Sequence, residues 1–134
     1  MSTDAARGGR YRGKGGRRAD LENRYFRSSW EANYARYLNW LVSIGEIERW
    51  EYEVDTFEFS KIKRGTRFYT PDFKIHSKDG TCEYHEVKGW MDPISATKLK
   101  RMAKYYPGIK VVVIGRKYYQ SLAKKVSGVV LNWE

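Results

Sequence analysis

Apolar and aromatic residues recur at helical spacing between Ser28 and Val42. Tyr34, Leu38, Leu41 and Val42 form a stripe that Tyr37 and Trp40 widen, which predicts an amphipathic helix. Ser28-Ser29-Trp30-Glu31 fits a capping box, with Ser28 as N-cap and Glu31 at the third helical position, and Gly45 suits the helix end. The period then changes. From Glu46 to Ser60, Ile47, Trp50, Tyr52, Val54, Phe57 and Phe59 stand among acidic residues, which predicts a strand or a bent hairpin. Tyr52 and Val54 alternate with Glu51, Glu53 and Asp55, so one face is expected to pack and the other to stay wet.

The stretch from Arg67 to Gly89 reads as two strands joined by Lys78-Asp79-Gly80, a loop that suits a type I turn closed by a left-handed glycine. That register sets Ser77 opposite Thr81 and, counted back, Asp72 opposite Glu86. Phe73, Ile75 and Val87 then share a face expected to pack against a helix, while Asp72, Lys74, His76, Tyr84, Glu86 and Lys88 share the other. His85, on the packed face opposite Phe73, is expected to be a hydrogen-bonded core histidine; His76 is on the polar face, two steps from Asp72. Two directly opposed carboxylates have Cβ atoms about 4.5–5.5 Å apart and repel by about 3 kcal/mol at an effective dielectric of about 20. Stability alone gives no reason for that pairing in a sheet. A divalent cation between Asp72 and Glu86 turns the repulsion into a binding site, and Lys88, one step away, can assist chemistry there.

Beyond Gly89, Asp92-Pro93 opens a helix as cap and first turn, with Ala96, Leu99, Met102, Ala103 and Tyr106 as its buried stripe. Pro107-Gly108 stops it. Lys110-Val111-Val112-Val113-Ile114 is a continuous apolar strand of the kind buried on both faces. Arg116 to Val126 reads as a last amphipathic helix, and Val129-Val130-Leu131 as an edge strand. This order predicts a mixed α/β fold, a central sheet flanked by helices, in one domain over residues 23–134.

Charge changes the picture of what the chain meets. The 134 residues carry a formal net charge of +10, which points to a polyanionic partner, nucleic acid being the common one. Half of that excess lies between Met1 and Arg18, where Arg7, Arg10, Arg12, Lys14, Arg17 and Arg18 stand against Asp4 and interleave with glycines. Residues 1–22 are therefore expected to be a flexible basic tail, an arm on phosphates or a passive terminus. Lys61, Lys63, Arg64 and Arg67 around Gly65 form a loop just before the Asp72 strand, and Lys98, Lys100, Arg101 and Lys104 cover the second helix. Both are candidate phosphate contacts as well as ordinary solvated faces. The single cysteine, Cys82, excludes an internal disulfide and a cysteine-based zinc cluster. No apolar run approaches the roughly 18 residues of a membrane span, and no signal-peptide core opens the chain. A cytoplasmic location, with no membrane partner, is the expectation.

Pro71-Asp72 followed by Glu86-Val87-Lys88 resembles the PD-(D/E)XK nuclease signature of restriction enzymes, archaeal Holliday-junction resolvases and small phage endonucleases. The resemblance runs roughly from Ser28 to Ile114. It implies a restriction-endonuclease-like core and a metal-dependent DNA endonuclease. Asp72 and Glu86, with the carbonyl of Val87, would hold Mg2+ or Mn2+, Lys88 would orient water or stabilise charge on phosphate, and Glu31 would complete the site. Glu31 thus has two readings, helix cap and metal-site acid. Small enzymes of this type often resolve branched DNA as homodimers, so junctions are the expected substrate. A nicking or non-specific duplex nuclease is the rival enzyme reading, and a non-catalytic basic DNA-binding protein the reading from another class.

Overall fold

The computed structural model describes residues 13–134. Strand β1 (Gly16–Arg18) pairs antiparallel with β2 (Arg24–Phe26) and leads into helix α1 (Ser29–Ser43). Then come β3 (Arg49–Tyr52), β4 (Phe57–Glu58), β5 (Phe68–Tyr69), β6 (Phe73–His76) and β7 (Cys82–Lys88). Helix α2 (Pro93–Tyr105), strand β8 (Val111–Gly115) and helix α3 (Arg116–Val126) complete the order. The fold is mixed α/β. Its main sheet runs β3-β6-β7-β8, antiparallel except for the β7–β8 pair, while β4 and β5 form a separate two-stranded ribbon.

The central hairpin has the expected register. Phe73 faces His85 and His76 faces Cys82, the Ser77 N–H donates to the Thr81 carbonyl at 2.9 Å, and the Gly80 N–H to that of Ser77 at 3.1 Å. Gly80 takes φ +91, the left-handed value that closes this turn without a Cβ clash. Phe73, Ile75, Val87 and Ile114 pack on one side of the sheet against Tyr34, Ala35 and Leu38 of α1 and Tyr119, Leu122 and Val126 of α3. His85 lies on this side and is hydrogen-bonded as expected, with Nδ1 2.6 Å from the Tyr34 hydroxyl and Nε2 2.6 Å from Glu83. On the other side a smaller cluster, Phe59, Tyr69 and Met102 with Leu99 and Tyr106, joins α2 to the β4–β5 ribbon.

Five local expectations change. The tail expected to reach Glu22 gives way to a strand at Gly16, and Leu21 and Phe26 join the main core; residues 1–12 lie outside those described. Strand β3 ends at Tyr52 because Glu53 turns left-handed, φ +49, which breaks the alternation and leaves Val54 exposed. Helix α2 buries only Met102, with Ala96 and Ala103 exposed, because it rests on the narrow ribbon rather than across the sheet. Strand β8 is an edge strand: Val112 and Ile114 face the main core while Val113 is exposed. Val129-Val130-Leu131 is a turn in which only Val130 is buried. Among the described residues no helix is long and apolar enough to cross a membrane.

Candidate active site

Asp72 enters the site because Pro71 is fully buried and the chain bends there, one step before the β6 ladder begins. Its carbonyl accepts the Glu53 N–H at 2.8 Å and its Oδ2 accepts the Val87 N–H at 2.8 Å. The carboxylate is thereby locked across the two strands, level with Glu86, and is only 2% exposed. Glu86 lies in mid-strand, also buried, its Oε1 accepting the Tyr69 hydroxyl at 2.8 Å. Lys88, two residues on and on the same face, has its ammonium 3.6 Å from Asp92, the residue whose side chain caps α2 through the Ser95 N–H.

Burial drives the Asp72 pKa well above the usual carboxylate range, and repulsion from Glu86 and Glu31 adds to it; the Val87 amide and Arg27 pull the other way. Glu86 is also raised, chiefly by burial, against the Tyr69 hydroxyl and the Lys88 charge. Two adjacent carboxyls are therefore each held in a place that penalises their charge.

Glu31 resolves differently from its capping reading. Its backbone N–H is capped by Ser28 Oγ at 3.2 Å, as expected. Its carboxylate, however, is buried at the site, accepting the Tyr52 hydroxyl at 2.5 Å and facing the Arg27 guanidinium at 3.6 Å. Arg27, the residue before the N-cap, also binds Asp72 at 3.0 Å and Glu53. Burial opposes its charge, but Glu31 and Glu53 more than offset that and raise its pKa. One guanidinium thus faces three carboxylates.

Arg27, Glu53, Asp72, Glu86 and Lys88 line a cleft of about 460 Å3 together with Phe68, Tyr69, Met91, Lys98 and Leu99; Glu31 is not part of that lining. Among the described residues no three His, Cys, Asp or Glu side chains converge as a finished metal cage. The donor set still fits a hard cation: buried carboxylate oxygens, no histidine or thiolate in the cleft, and a guanidinium already standing in as the cation. Asp72 and Glu86 are the pair that would hold one.

The basic residues separate. Lys98 lines the cleft. Lys61, Lys63, Arg64 and Arg67 are exposed, Arg67 lying over the ring of Phe68 at the cleft rim, and Lys104 is exposed on α2. Arg101 is tied to the Thr66 carbonyl, so it fastens the basic loop to α2. Lys14 and Arg17 are exposed, Arg17 bonding the Asn23 carbonyl. Arg18 is not a phosphate contact: it is buried in a bidentate pair with Glu134 at 2.8 and 2.9 Å. Arg7, Arg10 and Arg12 lie outside the described residues. His76 bonds Glu51 at 2.7 Å and is absent from the cleft.

Sequence reasoning missed Arg27, Glu53 and the two tyrosines. Arg27 carried a signal, its i,i+4 spacing to Glu31. Glu53 carried none, since only its left-handed backbone turns it inward.

No curated protein and no solved structure gives a match to this chain. A family model does match, over residues 10–122, a span that includes Arg27, Glu31, Glu53, Asp72, Glu86 and Lys88. The chain belongs to the family described as "Protein of unknown function (DUF1064)".

Proposed function

We propose that this protein is a divalent-metal-dependent endonuclease of the PD-(D/E)XK type that hydrolyses phosphodiester bonds in DNA. One observation carries the reading: two buried carboxylates, Asp72 and Glu86, line one cleft together with Lys88 and Lys98. Neither carboxylate is explained by stability, because burial penalises the charge of both.

In this reading Asp72 and Glu86 hold Mg2+ or Mn2+, with the Val87 carbonyl as a further oxygen donor. The ion, when bound, polarises the phosphate and lowers the pKa of a water on it. Tyr69 fixes one Glu86 oxygen and the Val87 amide fixes one Asp72 oxygen, so each carboxylate has little freedom left to lose; the other Asp72 oxygen accepts from Arg27. Lys88 places a positive charge where charge develops on the phosphate. Glu31 acts through its hold on Arg27 and Tyr52. Lys98, the loop 61–67 and the N-terminal basic residues supply the salt-dependent grip on the backbone. Branched DNA is the proposed substrate, cut by a homodimer in the cytoplasm of the cell that makes it.

The test is incubation of the protein with labelled four-way junction, flap, duplex and single-stranded DNA, in Mg2+ and in EDTA. Cleavage in Mg2+ alone, strongest on the junction, is the expected result. Equal cleavage of junction and duplex would move the reading to a general duplex nuclease. Tight binding with no cleavage of any substrate would leave a non-catalytic DNA-binding protein.

A further inference from the structure

Arg27 enters the reading above only as a partner of Glu31, yet it is the cation that faces three of the site's carboxylates. Its guanidinium meets Glu31 at 3.6 Å, Asp72 at 3.0 Å and Glu53. The side chain is nevertheless 54% exposed, with its charged end reaching a floor that is almost completely closed. Glu53 reaches it only through a left-handed backbone, φ +49, held by the Glu53 N–H bond to the Asp72 carbonyl. A non-glycine residue in that region costs roughly 1 kcal/mol or more. The fold therefore spends strain to put a second, partly exposed acid on Arg27 in the cleft lining.

We infer that Arg27 is an exchangeable counter-ion: it neutralises Asp72 in the free protein, yields that carboxylate to a divalent cation, and then binds the substrate phosphate while tethered by Glu53. This rests on the metal-dependent reading of the Asp72–Glu86 site. A guanidinium and a divalent ion cannot both take the same Asp72 oxygen. In the exchange Asp72 trades one cation for another, and Arg27, losing Asp72, keeps Glu53. The released N–H donors would be free to bond a substrate phosphate entering the cleft, and a guanidinium fork suits phosphate better than the point charge of a lysine.

The experiment compares the full-length protein with Arg27→Gln and Arg27→Lys. Mn2+ affinity is measured by calorimetry, and affinity for a short duplex is measured in EDTA and in Ca2+. Arg27→Gln should bind Mn2+ about tenfold tighter than wild type, since the competitor is gone, and Arg27→Lys should stay near wild type. Ca2+ should raise the wild-type DNA affinity about tenfold, and both variants should lose most of that gain. Equal or weaker Mn2+ binding by Arg27→Gln would overturn the exchange. Should the variants fail to fold, the unsubstituted protein decides: the Arg27 Nε–H resonance should shift on saturation with Mg2+, and an unmoved resonance at saturation overturns the proposal. If none of the proteins binds Mn2+, the metal-dependent reading of the site falls as well.

Discussion

Helix α1 sends Arg36 into one cluster of charge and Glu31 into another, and the two clusters differ in arithmetic. In the first, Arg36 binds Asp20 through two nitrogens at 2.8 and 3.0 Å and Glu134 at 2.8 Å, and Arg18 forks onto Glu134. Two guanidiniums meet two carboxylates, and Asn33 and Ser29 satisfy what remains. Hydrogen bonds from Arg18 and Arg36 hold the Glu134 pKa down at about 2, against its burial, and the bond from Arg36 lowers that of Asp20. In the second cluster Arg27 alone touches three carboxylates, and a fourth, Glu86, has the Tyr69 hydroxyl and the Lys88 charge. Here Asp72 and Glu86 are pushed up. The first cluster clasps residues far apart in the chain. In the second, Arg27 and Lys88 leave four acids only partly compensated, a pattern that clusters at binding sites.

The sharpest way to break this contrast is to remove its members one at a time. Asp72→Ala, Glu86→Ala and Lys88→Ala should each lower Mg2+-dependent cleavage by about 10²–10³-fold or more while DNA binding by gel shift stays near wild type. Glu134→Gln should leave cleavage intact below its melting temperature. Near-normal cleavage by two of the three site variants would dissolve the distinction.

Stability should separate the clusters in the opposite sense. Glu134 is about a third exposed, side-chain exposure 35%, so solvent screening limits its worth; Glu134→Gln should cost about 1–2 kcal/mol at neutral pH, read by urea unfolding. The sign in pH follows from a depressed folded pKa. The contribution is complete above the ordinary carboxylate pKa of about 4.3 and is lost as pH falls towards about 2. Wild type and variant should therefore converge in acid.

At the site the sign reverses. Because the folded pKa values of Asp72 and Glu86 are raised, that part of the stability is greatest below the ordinary carboxylate pKa. It declines as pH rises through the raised values. Asp72→Asn keeps an oxygen for the Val87 amide but removes the charge, and should gain about 1 kcal/mol in EDTA at neutral pH. It should also lose the melting-temperature rise that the proposed metal site would give wild type in Mg2+. A clear loss of stability in EDTA would mean that Asp72 is clasped like Glu134.

The smallest effect concerns the N-terminus. Removing residues 1–12 takes away Arg7, Arg10 and Arg12 and should flatten the salt dependence of DNA binding by about 2 units, with an unchanged melting temperature. Removing residues 1–18 also takes Arg18 from Glu134 and should lower the melting temperature. If both deletions leave the salt slope unchanged, the grip lies on the loop 61–67 and Lys98.

Much of this was legible along the chain because it is local. The Ser28 cap, the Gly80 turn, the Asp92 cap and the opposition of Asp72 to Glu86 each depend on spacing within one helix or one hairpin. Period alone decided them, since a hairpin's register follows from its turn. What the period could not decide was anything joined across the fold. Val111 to Ile114 reads as a fully buried strand, yet whether another strand lies beyond it depends on where residues 129–131 go, and they form a turn. Arg18 reads as one more charge in a basic run until Glu134, more than a hundred residues away, buries it. Arg27 and Glu53 became site residues only when β3 met β6 and set the Glu53 amide on the Asp72 carbonyl. The sequence by itself determined the helices, the central hairpin and the pair of opposed carboxylates, because those follow from side-chain alternation and turn chemistry. Tertiary structure alone decided which cation faces that pair, because long-range ion pairs depend on the packing of distant elements and leave no periodic trace.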